Sequence, residues 1–181
     1  MTITADDIYT EPDFDPDTLR HLGPLAGMAG IWEGHKSLDV NPGPQGPRRQ
    51  VYHERIELQP IDPQTNGPQL LYGLHYVLRA TKLGEIDTYH FQSGFWLWEP
   101  ATGMVIHTLA IPRGQVAMAI GQANADATRF TLTAERGSTV NGICSNPFLE
   151  SAFRTDSFRI EITLHPDDTW SYDETTMLWP R

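Results

Sequence analysis

The sequence predicts an all-β domain, and three observations carry that expectation. Short runs of alternating apolar and polar residues recur along most of the chain. Turn signals separate them every ~8–12 residues, the spacing of antiparallel barrels and sandwiches. No long helical pattern lies between the runs, which argues against a parallel sheet of strand–helix–strand units. Alternation alone serves a barrel and a sandwich equally. The balance tilts to a barrel because a short helix precedes the first strand and nearly every later connection is hairpin-sized. Closure is then the simplest way to remove the sheet's free edges, and the expected fold is a closed antiparallel up-and-down β-barrel of about ten strands.

Residues 1–14 are acidic and polar and read as a loose tail, with a single domain over 15–181. Asp15-Pro16 reads as a helix start, followed by Leu19, Leu22 and Leu25 at a spacing of three. Gly23-Pro24 should stop that helix after one or two turns. After Gly27 the period changes to two. Strands are expected over 51–58, 70–80, 89–99, 104–111, 115–122, 129–134, 158–164 and 169–178. The clearest is 70–80, where Leu70, Tyr72, Leu74, Tyr76 and Leu78 share one face and His75, Val77 and Arg79 the other. Residues 59–69, with three prolines and Asn66-Gly67, read as a loop. So do 39–50, with Asn41-Pro-Gly-Pro-Gln-Gly-Pro47, and the long stretch 136–157.

Composition excludes several functions. The chain has 181 residues, 39% of them hydrophobic, so it can bury a core as one domain. A formal net charge of −10 argues against nucleic acid and anionic lipid as partners. No apolar run reaches the ~20 residues of a membrane span, and Met1–Thr10 lacks the features of a secretion signal. Cys144 is the sole cysteine, so no internal disulfide or thiolate metal site forms, and a cytoplasmic location is expected. Cys144 also lacks basic sequence neighbours that would lower its pKa, which favours a passive role.

No phosphate loop, His-Glu-x-x-His, Gly-x-Ser-x-Gly or Cys-x-x-Cys motif is present, and no catalytic residue is assigned. The candidates for holding a cofactor are His75, His90, His107, Met118 and Met177, since neutral imidazole and thioether ligate iron. For each histidine, a half-buried side chain with one hydrogen bond is the plainer alternative. Candidate cavity-wall residues are Tyr72, Tyr76, Trp96, Trp98 and Phe130, which would otherwise be ordinary core. His21, His35 and His53 stand near element ends and are expected to be solvated, as is His165 in its turn. The neighbours Asp167-Asp168 and Asp173-Glu174 point oppositely within each pair and read as turn or surface residues. No metal site is assigned.

Gly30-Ile-Trp-Glu-Gly34, at the start of the first strand, resembles the Gly-x-Trp-x-Gly opening of the nitrobindin-like β-barrels. These are haem-binding proteins related in shape to fatty-acid-binding proteins, and the shape implied is calycin- or lipocalin-like. Tyr89–Trp96, Gly103–Gly114 and Val116–Gly121 are similar to the family's central meander, and Trp170–Met177 to the segment leading into its final strand. Together the blocks span most of 19–178. The motif residues carried over are Gly30, Trp32 and Gly34; the place of the family's usual third glycine is Lys36. The resemblance places the family's iron-ligating histidine after the segment matching 170–178, and Trp179-Pro-Arg181 supplies none. Iron would therefore need His75, His90 or His107 as a substitute.

The leading expectation is a protein that binds a small apolar ligand, lipid-like or haem-related, inside the barrel. The first alternative is a ferric-haem protein acting on nitric oxide or peroxynitrite through a non-standard iron ligand. The resemblance implies that activity, but without the axial histidine the balance leans away from an enzyme. The second is a structural or interaction protein with a filled barrel. The expected partner is a small hydrophobic ligand, without membrane insertion; a homodimer is left open.

Overall fold

The computed structural model describes residues 8–180; residues 1–7 of the expected tail lie outside it. Its strands are β1 (Gly30–Asn41), β2 (Arg48–Asn66), β3 (Gln69–Lys82), β4 (Thr88–Glu99), β5 (Met104–Ile111), β6 (Gln115–Gln122), β7 (Arg129–Arg136), β8 (Gly142–Ser145), β9 (Phe153–Leu164) and β10 (Trp170–Pro180). They form one sheet in the order β1-β2-β3-β4-β5-β6-β8-β7-β9-β10. All-β architecture with a short N-terminal helix is therefore what the chain adopts.

Closure is not. β1 and β10 stand at opposite ends of the sheet order and do not pair, so the sheet is an open half-barrel of ten strands rather than a closed barrel. The up-and-down order is also interrupted, because β8 inserts beside β6 and runs parallel to β7. Side chains rather than backbone cross the seam. Tyr172 on β10 donates to Glu54 Oε2 on β2 at 2.6 Å, and its hydroxyl is 3.2 Å from that of Tyr52. Ser37 on β1 donates to the other Glu54 oxygen at 2.6 Å. Trp32 on β1 and Trp170 on β10 meet edge to face, 6.3 Å between ring centres.

The concave face holds the core. One end is stoppered by α1 (Thr18–His21) and the 3₁₀ turn Gly23–Met28; Leu22 between them and Leu25 and Met28 of the turn are fully buried. As expected, Gly23-Pro24 ends the α-helix early. Trp32 Nε1–H donates to the Met28 carbonyl at 2.8 Å and ties the plug to β1. The motif glycines have local reasons. Gly30 sits at φ +132°, which favours glycine, and a Cβ on Gly34 would press at 3.0 Å against both Glu54 Oε1 and Ser37 Oγ.

Three stretches read as loops hold ordered elements. The 39–50 stretch narrows to 42–47, because β1 runs on to Asn41 and pairs there with residues 48–50 of β2. Residues 59–66 continue β2, because β1 begins opposite Leu58 and leaves β2 without a neighbour on that side. Prolines are tolerated on such an edge, and the β2–β3 register slips between Ile61 and Gln64, around Pro63. Residues 136–157 contain β8 and α2 (Pro147–Ala152), the latter capped by Asn146, whose side chain accepts from the Phe148 and Leu149 amides.

Candidate functional site

The concave face divides into a packed floor and an open mouth. In the floor, the register aligns Leu74, Trp96, His107 and Ala119 in one row and Tyr76, Gly94, Leu109 and Ala117 in the next. The small residues make room for the rings. His107 stacks on Trp96 at 3.9 Å and 9° and lies 5.1 Å from Tyr76 and 6.2 Å from Phe158. It is 1% exposed, and neither ring nitrogen has a hydrogen-bond partner. Desolvation pushes its pKa down to about 3, so the ring is neutral. The Tyr76 hydroxyl is likewise buried without a partner, and desolvation raises its pKa.

The mouth lies at the end away from the plug. A cavity of about 40 Å³ is lined there by Gln92, Leu109, Ile111, Gln115, Ala117, Phe158, Glu174 and Thr176, among others. Glu174 and Thr176 line it and are nevertheless exposed to solvent, because β10 is the unpaired edge of the sheet. Glu174 is ringed by protein mass although water reaches it. Desolvation first, then the Glu54 and Asp39 carboxylates, push its pKa up to about 7. His90 shares the inward face with Gln92, 3.1 Å from Nε2 to Oε1. With Nε2–H donating to the Gln92 side-chain oxygen, Nδ1 is the ring nitrogen left for another partner. Tyr52 and Tyr89 meet edge to face at 5.9 Å beside it.

The outer face carries a second concavity of about 650 Å³, an open groove across β3–β6 and β8. The register builds a row His75, Phe95, Thr108, Met118, and Cys144 closes the far side.

The candidates named from sequence thus fall into four places. His90 is at the mouth. His75 and Met118 line the outer groove three strands apart, with Phe95 and Thr108 between them. His107 is sealed in the floor. Met177 is exposed on the edge strand. Tyr72, Tyr76, Trp96, Trp98 and Phe130 are packed core and line neither cavity. Sequence reading missed Gln92, Gln115, Glu174 and Thr176. Their alternation was legible, but which face is concave and which edge is open depends on tertiary curvature.

Residues 21–178 match a family model described as "THAP4-like, heme-binding beta-barrel domain". The crystal structure of Rv2717c from M. tuberculosis is similar at a TM-score of 0.57 and 19% identity, covering 93% of this chain and 94% of that one. At that identity the likeness shows the fold alone. No curated protein matches the chain.

Proposed function

Because the chain belongs to the THAP4-like, heme-binding β-barrel domain family, we propose that it binds one flat, largely apolar ligand of the haem class at the concave mouth. The observation that carries this reading is that inward-facing Glu174 and Thr176 remain open to solvent while the floor beneath them is packed. The residues present suit such a ligand. Leu109, Ile111, Ala117 and Phe158 offer apolar walls, and Gln92, Gln115 and Thr176 offer orienting polar groups. His90 offers an imidazole donor on the same face. The enclosed 40 Å³ is of the order of one water's room, so a macrocycle would lie mostly in the open part of the mouth. His107 does not suit iron, since aromatic rings crowd it and it lines neither cavity. Bound ferric haem would supply a Lewis-acidic, redox-active iron. The chain's part is to bind it, orient it and shield it from water.

One observation favours a second reading. The outer groove, at about 650 Å³, has the volume of a small-molecule site, roughly 300–1,000 Å³, and His75 is among the residues that line it. Titrating purified protein with ferric haem and following the Soret band separates the two. The mouth reading expects saturation at one equivalent, weakened about tenfold or more by His90→Ala and unchanged by His75→Ala. The reverse pattern supports the groove. No saturable shift removes haem from both.

A further inference from the structure

Away from both concavities, a bulge in β1 assembles a set of metal donors that sequence reading left to solvent. Glu33 and His35 stand two apart on β1, on the face opposite inward Trp32. The β1–β2 pairing matches Gly34 with Glu54 and resumes at Ser37 with Tyr52, so His35 and Lys36 together oppose the single residue His53. Such a bulge re-aims a side chain. Here it lays the His35 ring over that of His53, with centroids 4.5 Å apart at 24°.

Three details point to a ligand. His53 Nε2 is buried and has no hydrogen-bond partner, which calls for an explanation. Glu33 divides its oxygens: Oε1 accepts from Arg55 at 3.0 Å, while Oε2 lies 4.0 Å from His35 Nε2. The donor atoms of Glu33, His35 and His53 all lie within 4.8 Å of one another, and this is the one such group of three among the described residues.

We propose that Glu33, His35 and His53 form a binding site for a divalent transition metal of the zinc class. Two imidazoles and a carboxylate suit zinc, cobalt, nickel or copper, whereas magnesium and calcium prefer all-oxygen shells. Donors around tetrahedral zinc stand about 3.4 Å apart, given bonds of about 2.0–2.1 Å. Small rotations of exposed Glu33 and His35 towards His53 supply that contraction. Arg55, held also by Glu57, keeps the second Glu33 oxygen in place, the outer-shell orientation that metal carboxylates require. Three protein ligands leave coordination positions open to water or an added donor.

The test is a Co²⁺ titration of chelator-stripped, full-length protein, followed by visible d–d absorption, with Zn²⁺ as competitor. The expected result is one saturable equivalent displaced by Zn²⁺. His35→Ala and His53→Ala each weaken it about tenfold or more, and His165→Ala, remote from the cluster, leaves it unchanged. If His53→Ala fails to fold, His35→Ala and a Zn²⁺-induced shift of the His53 ring protons in the NMR spectrum of the intact protein serve instead. No saturable binding, or binding indifferent to His35→Ala, overturns the proposal. Ferric-haem binding should be the same in His35→Ala and the parent protein, which keeps this site's failure separate from the mouth's.

Discussion

His107 and Glu174 bend the stability profile in opposite directions. Unfolded histidine takes up a proton as pH falls through about 6.5, while buried His107 resists until about 3, so native stability drops across that window. Unfolded glutamate ionises near 4.5, while Glu174 holds its proton to about 7, so native stability drops as pH rises between those values. Glu174 touches water, so its limb should be the shallower one. Urea midpoints measured from pH 3 to 8 should show His107→Phe flattening the acid side, and Glu174→Gln flattening the other and raising the midpoint at pH 8. A profile unchanged by both variants would contradict these assignments. Tyr172→Phe removes one of two donors to buried Glu54 and should cost about 1–3 kcal/mol by the same assay. Strand alternation correctly split Asp173 from Glu174 in the sequence. It could not say which of them faced inward, because that depends on the direction of sheet curvature.

At the level of elements, local signals were legible where neighbours reinforced them and misleading where neighbours were missing. β3, β4 and β9 alternate cleanly because each is flanked by strands on both sides. The proline-rich half of β2 read as a loop because prolines exclude a central strand, and only the starting point of β1 reveals that this half is an edge. The His35–His53 pair was illegible for a related reason. A bulge is a property of two strands in register, and neither strand encodes it alone. α2 was legible after the fact, with Asn146 as cap and Pro147 in the first turn. Asn146→Ala should cost about 1–2 kcal/mol in chemical denaturation through loss of the two amide partners and of its donation to the Arg113 carbonyl, while Asn146→Asp, which keeps the cap but not that donor, should cost less than Asn146→Ala.

For the molecule as a whole, burial is concentrated at the plugged end. Leu25→Ala should cost about 2–5 kcal/mol, measured as a fall in unfolding free energy, since its side chain is fully enclosed where the 3₁₀ turn meets the sheet. Leu19→Ala, on an exposed position of the same N-terminal segment, should change it by less than about 0.5 kcal/mol. The hairpin-sized connections and the leading short helix pointed to a curled sheet, but not to margins that fail to meet. That outcome rests on the relative placement of the first and last strands, the longest-range relation in the chain, and alternation says nothing about it.

The seam has a mechanical consequence. A cylinder sealed by amide ladders has a circumference set by strand number and stagger. Here two phenols, a carboxylate and a pair of indoles span the gap instead, and side chains rotate on pivots that ladders lack. The width at the seam is therefore set by rotatable side chains, and a change there would leave every ladder whole.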